Sequence, residues 1–174
     1  MNNTRKLVYT ALLAALTAAG AFMRIPMGYS SVTLQYLFTA MAGLLLGRKW
    51  GALSQLIYVC LGLVGLPIFT MGGGFGYVFQ PTFGFLLGLI PAAWVVGAAA
   101  GESLDPRRMA LASLAGLAVL YAVGMPYMAL ILNVYMGKGM TLSALLWAGM
   151  LPYLPGDAVK IIVAAAAEAG RWQP

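Results

Sequence analysis

Apolar residues fall in long runs separated by short breaks rich in polar residues, glycine and proline, and the runs carry almost no charge. The runs lie at residues 7–23, 32–46, 50–69, 81–100, 109–132 and 157–170. A membrane-crossing helix needs about 20 mostly apolar residues. The pattern therefore predicts an all-α integral membrane protein with six transmembrane helices, forming one domain over residues 1–174. A further apolar stretch, 141–151, is too short to span. It is expected to lie as a helix near the membrane surface, ahead of the proline- and glycine-containing break at 152–156.

Composition supports the membrane assignment. Hydrophobic residues make up 62% of the 174 residues and charged residues only 8%, where soluble domains carry about 25% charged residues. The mean hydropathy is +0.89. So many spans leave no room for a separate soluble domain or an ATPase module, so energy coupling must come from other chains. The net charge of +6 changes meaning once the basic residues are placed. Arg5, Lys6, Arg48, Lys49, Arg107, Arg108 and Arg171 fall on one side of the predicted membrane, with Glu102 and Asp105 in the same loop as the last arginine pair. Arg24 and Lys138 fall on the other side, and Lys160 lies inside the last span. The positive-inside rule then places both termini in the cytoplasm, in a multi-pass protein of the cytoplasmic membrane.

The same distribution excludes nucleic-acid binding, because no basic cluster is interleaved with aromatics. Cys60 is the single cysteine and cannot form an internal disulfide. The sequence has no histidine, so histidine metal sites and histidine bases are excluded. Arg5, Lys6, an apolar run and Ala19-Gly20-Ala21 imitate a secretory signal. The segment is expected to be a retained first helix, because the later runs need it as a packing partner.

Small residues recur at helical spacing. Ala11, Ala15 and Ala19 line one face of the first helix, while Gly43, Gly47 and Gly51, Gly84 and Gly88, and Gly97 and Gly101 form ladders. In lipid such ladders let backbones approach closely. They serve contacts within the chain or, most credibly for the alanine face of a terminal helix, docking of another membrane subunit. Pro91 and Pro126 sit inside predicted helices and are expected to kink them.

Asp157 and Lys160 are the opposite charges placed together in an apolar run. Charge at membrane depth is costly and faces a cavity or a partner, and their i, i+3 spacing puts both on one helical face. Pro155-Gly156-Asp157 reads as a helix start, whose positive dipole end would attract a carboxylate ligand beside Lys160. Mutual neutralisation as a structural pair is the alternative. Thr33 and Gln35, Tyr77 and Gln80, Asn133 and Arg24 fall at the same outward depth, whereas the inner half offers mainly Ser54, Gln55 and Ser113. Polar groups thus gather where a site loading from outside would need them. The outer tyrosines, including Tyr29, Tyr36, Tyr77, Tyr127, Tyr135 and Tyr153, are most simply an interfacial belt, with one or two left open as lining of a pocket for a flat, partly apolar ligand. The glycine-rich stretch 72–76 lacks the preceding strand and following Lys-Ser/Thr of a phosphate loop, leaving a cap over a cavity or a membrane-edge turn.

These residues, in order, resemble a known family. They are Arg24-Ile25-Pro26 after an alanine-rich helix, Val32-Thr33-Leu34-Gln35, Ala42-Gly43-Leu44-Leu45-Leu46-Gly47 and Gly62-Leu63-Val64-Gly65-Leu66-Pro67. The glycine cluster, Pro81-Thr82-Phe83-Gly84-Phe85 and Leu154-Pro155-Gly156-Asp157-Ala158-Val159-Lys160 follow. The chain resembles BioY, the biotin-specific S component of energy-coupling-factor (ECF) transporters, over nearly its whole length and least between residues 104 and 150. The resemblance implies a six-helix S-component bundle that binds biotin from outside, with no cofactor. It also implies a coupling membrane subunit and two cytoplasmic ATPases as partners, with Ala11, Ala15 and Ala19 facing the coupling subunit. Lys160 would serve biotin's carboxylate or its hydrogen-bond network. Asp157 would serve the ureido N–H groups or hold Lys160, with Gln35, Tyr77, Asn133 and Arg24 as further ligand candidates.

One departure concerns the loop after the first helix, often proline-rich in the family but Met27-Gly28-Tyr29-Ser30-Ser31 here, which is expected to act as a lid. An S component for another vitamin or cofactor precursor is the nearest alternative. A structural or assembly protein is a more distant one. An intramembrane enzyme would need a nucleophile with its base, or a metal site, and no such constellation assembles.

Overall fold

The structure is a computed structural model that describes residues 1–169. It is mostly helical, with α1 (Asn3–Phe22), α2 (Gln35–Val64), α3 (Phe83–Ala100), α4 (Pro106–Ala129), α5 (Leu142–Gly149) and α6 (Leu154–Ala169). Between α1 and α2 the chain forms a β-hairpin, β1 (Arg24–Met27) and β2 (Ser30–Thr33). Arg24 pairs with Thr33 and Met27 with Ser30, so the turn is Gly28-Tyr29, with Gly28 at φ 63. The all-helical expectation did not include this hairpin, because four-residue strands flanked by apolar helices leave little periodic signal.

The expected second and third spans are the two limbs, 35–46 and 48–64, of α2. Gly47 has φ 74 and ψ −179 and turns the chain back on itself, a backbone setting that favours glycine over any residue with a Cβ. The reversal is evident in side-chain contacts: Thr39 Oγ1 donates to Gln55 Oε1 at 3.0 Å, and Gln35 Nε2 donates to Tyr58 Oη at 2.8 Å. A continuous helix would separate each of those pairs by more than 20 Å at its rise of about 1.5 Å per residue. The expected surface helix 141–151 is α5, and the last helix begins at Leu154 and not at Asp157. Gly170 and Arg171, which bounded the expected last span and its charge count, lie outside the described residues.

Among the described residues, three helical stretches can cross a membrane by length and composition: Phe83–Ala100, Pro106–Tyr135 and Leu142–Ala169. The second includes a wider π-helical turn, Leu130–Tyr135, that continues α4 beyond Pro126. α3 packs between α2 and α4, and α6 leans on both α2 and α4. α1 lies along α2 through a stripe of Thr10, Leu13, Ala14, Thr17, Gly20 and Ala21. Asn2 caps α1, its Oδ1 accepting from Arg5 N at 3.0 Å.

Glycine ladders serve contacts within the chain. A Cβ on Gly43 would lie 2.7 Å from Ala93 O, and one on Gly84 would fall against Tyr127 Cβ with no room between them. Polar residues inside the bundle are matched to one another. Gln55 is fully buried, and its Nε2 reaches Thr17 Oγ1 at 3.2 Å and Ser54 Oγ at 3.0 Å. Thr17 and Ser54 hydroxyls donate in turn to backbone carbonyls of Leu13 and Gly51. Among the described residues no buried side-chain nitrogen or oxygen lacks a partner, as an apolar surround requires.

Candidate ligand-binding site

At the end of the bundle that carries the hairpin lies a cavity of about 350 Å³. Its wall on one side is the hairpin with the start of α2, from Arg24 to Tyr36. The opposite side is α3 with Phe85, Leu86 and Leu89, and α4 with Leu120 and Tyr121. Thr70 and Met71, Tyr153, and Asp157 and Lys160 from α6 complete it.

The polar end of the cavity is built from α6 and α4. Asp157 occupies the first turn of α6, one turn before Lys160, so both side chains emerge from one face. Lys160 Nζ lies 2.8 Å from Asp157 Oδ1, and Tyr121 Oη donates to Asp157 Oδ2 at 2.5 Å. Asp157 is only 4% exposed and Lys160 7%. Charges that deep need mutual compensation and further hydrogen bonds, and the Tyr121 hydroxyl supplies one. The Tyr121 ring is fixed edge-on against Phe85, with centroids 6.0 Å apart. Tyr36 also lines the cavity, its hydroxyl donating to the Ser113 carbonyl of α4.

Of the residues singled out from sequence, the cavity brings together Asp157, Lys160, Gln35 and Arg24. Gln35 is held by its neighbours: Thr33 Oγ1 donates to its Oε1 at 2.9 Å, and its own Nε2 donates to Tyr58 Oη. Tyr77 and Asn133 are not among the lining residues. Tyr77 is buried in an aromatic stack, 4.8 Å from Phe69 and 6.4 Å from Phe83 by ring centroids, with its hydroxyl 3.3 Å from Thr70 Oγ1. Asn133 closes the turn after α4, accepting from Met140 N at 2.6 Å and donating to Met140 O at 3.0 Å. Both were placed by depth along the sequence, which fixes height in the membrane but not the direction a side chain takes. The glycine stretch folds against the end of α2, with Gly74 N donating to Gly62 O at 2.7 Å, and brings Thr70 and Met71 to the cavity.

Tyr121 is a residue that sequence reasoning missed, and Tyr36 and Tyr153, expected in an interfacial belt, are buried and line the cavity instead. The signal for Tyr121 was a tyrosine well inside the 109–132 run, too deep for an interfacial belt. Tyr121→Phe keeps the ring contact with Phe85 and deletes the hydrogen bond to Asp157. A hydrogen bond to a charged group contributes about 1.5–3 kcal/mol, so thermal unfolding of the variant in detergent is expected to show a loss of that order. An unchanged melting temperature would remove Tyr121 from the support of the ion pair.

Chemically, the cavity combines an aliphatic and aromatic wall with a few convergent polar groups, the usual make-up of a small-molecule site. Among the described residues no group of three or more His, Cys, Asp or Glu side chains is placed to hold a metal.

Comparison with known proteins adds the family. The BioY family model matches residues 1–173. The chain belongs to the BioY family. A BioY relative from Lysinibacillus sphaericus, named a probable biotin transporter, is 42% identical over 165 residues, covering 94% of this chain and 84% of its own. The biotin transporter BioY of Thermotoga maritima is 33% identical over 162 residues, with 92% of each chain covered. A crystal structure of the S-component for biotin from an ECF-type ABC transporter superposes with a TM-score of 0.83 at 25% identity, covering 97% of this chain and 93% of the other. This BioY chain therefore has the S-component fold and is a multi-pass membrane protein.

Proposed function

We propose that the chain is the substrate-binding subunit of a biotin uptake transporter, capturing biotin from the outer side of the cytoplasmic membrane. It is a transport protein and not an enzyme. The observation that carries this reading is the cavity itself: a buried Asp157–Lys160–Tyr121 cluster beside an apolar wall, roofed by a hairpin. Biotin offers a ureido group that both donates and accepts hydrogen bonds, an apolar ring and chain, and a carboxylate, and each has a chemical counterpart among the lining residues. The relatives named as biotin transporters support the choice of ligand.

In the proposed topology the limbs of α2 count as two crossings. Together with α1, α3, α4 and α6 they make six, with both termini in the cytoplasm and α5 near the outer surface. Arg48 and Lys49 at the reversal of α2, and Arg107 and Arg108 at the start of α4, then share the cytoplasmic side with Arg5 and Lys6. Import would be driven by partner chains, a coupling membrane subunit and two ATPases. Ala11, Ala15 and Ala19 support a docking role, because they are exposed along α1 on the side away from its stripe on α2.

The test is equilibrium binding of biotin to the purified protein in detergent, beside an unrelated vitamin such as thiamine. Saturable binding of biotin alone is expected. A folded protein that takes thiamine and ignores biotin would move the assignment to another vitamin, and one that takes neither would end the substrate-capture reading.

A further inference from the structure

A second hollow, of about 310 Å³, opens sideways between α4 and α6. Leu117 and Ile161 are buried and form its floor, while Leu111, Leu114 and Ile162 stand exposed as its rims. Every lining side chain is hydrocarbon. Water is not held in such a place, for want of polar partners, and an empty groove would forfeit the dispersion contacts of its walls. In a bilayer the groove is therefore filled from the side. A helix of a second copy is the poorer filler, being about 10–12 Å across with its side chains. Close helix packing in lipid needs small residues at the point of contact, whereas the rims here are leucine and isoleucine. A flexible hydrocarbon chain enters between such rims.

Charge at one end of the groove selects the kind of lipid. Arg107, in the first turn of α4, precedes the lining residues Ala110 and Leu111 by three and four positions, so it stands on the same helical face at the end of the hollow. It is exposed, and its guanidinium forms no ion pair among the described residues. Its neighbours are committed elsewhere. Arg108 Nε donates to Ala99 O of α3 at 3.1 Å, and Asp105 caps α4, its Oδ1 accepting from Arg107 N at 3.1 Å. A guanidinium in that position suits two-point contact with a phosphate. We propose that the groove between α4 and α6 binds an acyl chain of an anionic phospholipid, with Arg107 holding its phosphate. In the topology proposed above this lipid belongs to the cytoplasmic leaflet, whose anionic surface attracts basic residues. α6 then stands between the lipid and the cavity, because Ile161 faces the groove while its neighbour Lys160 lines the cavity.

The experiment titrates delipidated protein in neutral detergent with phosphatidylglycerol, which is net negative, or phosphatidylcholine, whose choline cancels its phosphate. The first lipid retained is counted by native mass spectrometry. The wild type is expected to hold phosphatidylglycerol about fivefold more tightly, the scale of one arginine beside an anionic headgroup. Arg107→Gln should bring phosphatidylglycerol down to the level of phosphatidylcholine. Its melting temperature without lipid should match the wild type, because the guanidinium has no ion-pair partner to lose among the described residues. Ala158→Leu places a branched side chain in the groove from an exposed position of α6, and should weaken both lipids alike. Equal retention of the two lipids by the wild type would overturn the proposal. So would a preference that survives in Arg107→Gln, or an Ala158→Leu protein that holds both lipids as the wild type does. A lipid-free dimer that Ala158→Leu dissociates would give the groove to a second copy instead. Biotin is absent throughout, so none of these outcomes depends on the ligand assigned to the cavity.

Discussion

Lys160→Met is expected to abolish biotin binding and to destabilise the protein by about 3–5 kcal/mol, the usual penalty for removing one partner of a buried ion pair. Lys160 is 7% exposed and Asp157 4%, so solvent screens little of the loss. The variant leaves the Asp157 carboxylate buried, with the Tyr121 hydroxyl still donating to it and the ammonium gone. Combining Lys160→Met with Asp157→Asn removes both charges, and most of the stability should return, because replacing a buried pair with neutral groups is often near neutral. Binding should not return with it. Thermal unfolding and biotin titration of the single and double variants separate the two effects. A single variant that still binds biotin with near-normal affinity would reduce the pair to a structural role. A double variant as unstable as the single one would show that the lost charge was not the cause.

Gly97→Ala is expected to cripple folding through one added methyl group. The new Cβ would lie well under 3.0 Å from both Arg48 N and Gly47 C, closer than real Cβ atoms come to any neighbour. Both are backbone atoms at the reversal of α2, so no side chain can swing aside. Either α3 moves off α2 or the reversal opens, and overpacking of this kind costs about 3 kcal/mol or more. The measurement is melting temperature and monodispersity in detergent, beside Gly76→Ala, whose methyl would meet open space. The control should behave as wild type. A Gly97→Ala protein that melts with it would show that the two helices are not pressed together at this point.

The parts of the fold that were legible in the sequence are those set by the solvent. Lipid demands long apolar runs and places lysine and arginine at their ends, so helices could be read from composition and spacing. The small-residue ladders were legible as close contacts, though the partner of each was not: Gly97 meets the turn at Gly47, fifty residues away in sequence. The hairpin was missed because its strands pair only with each other and its residues, Arg-Ile-Pro-Met and Ser-Ser-Val-Thr, lack alternation long enough to stand out. In the candidate site, Asp157 and Lys160 were found because charge in an apolar run is conspicuous. Tyr121 was not, because a tyrosine costs little at membrane depth until its hydroxyl is seen to need a partner. Asn133 and Tyr77 show the converse: polarity at the right depth can be spent on a turn or on an aromatic stack.

The hairpin has a kinetic consequence. Its two strands form a sheet of their own. Its ties to the rest include the Tyr153 hydroxyl on Met27 O at 2.9 Å and the Lys138 ammonium 5.1 Å from the centroid of the Tyr29 ring. Each such tie is worth about 1 kcal/mol, and hairpins rearrange in about 1–10 μs. A hairpin held by so few ties is expected to open and shut many times during one stay of a tightly held molecule, with no helix displaced. The time a molecule remains inside is then governed by its grip on the walls, and differences in affinity among related molecules should appear as differences in escape rate.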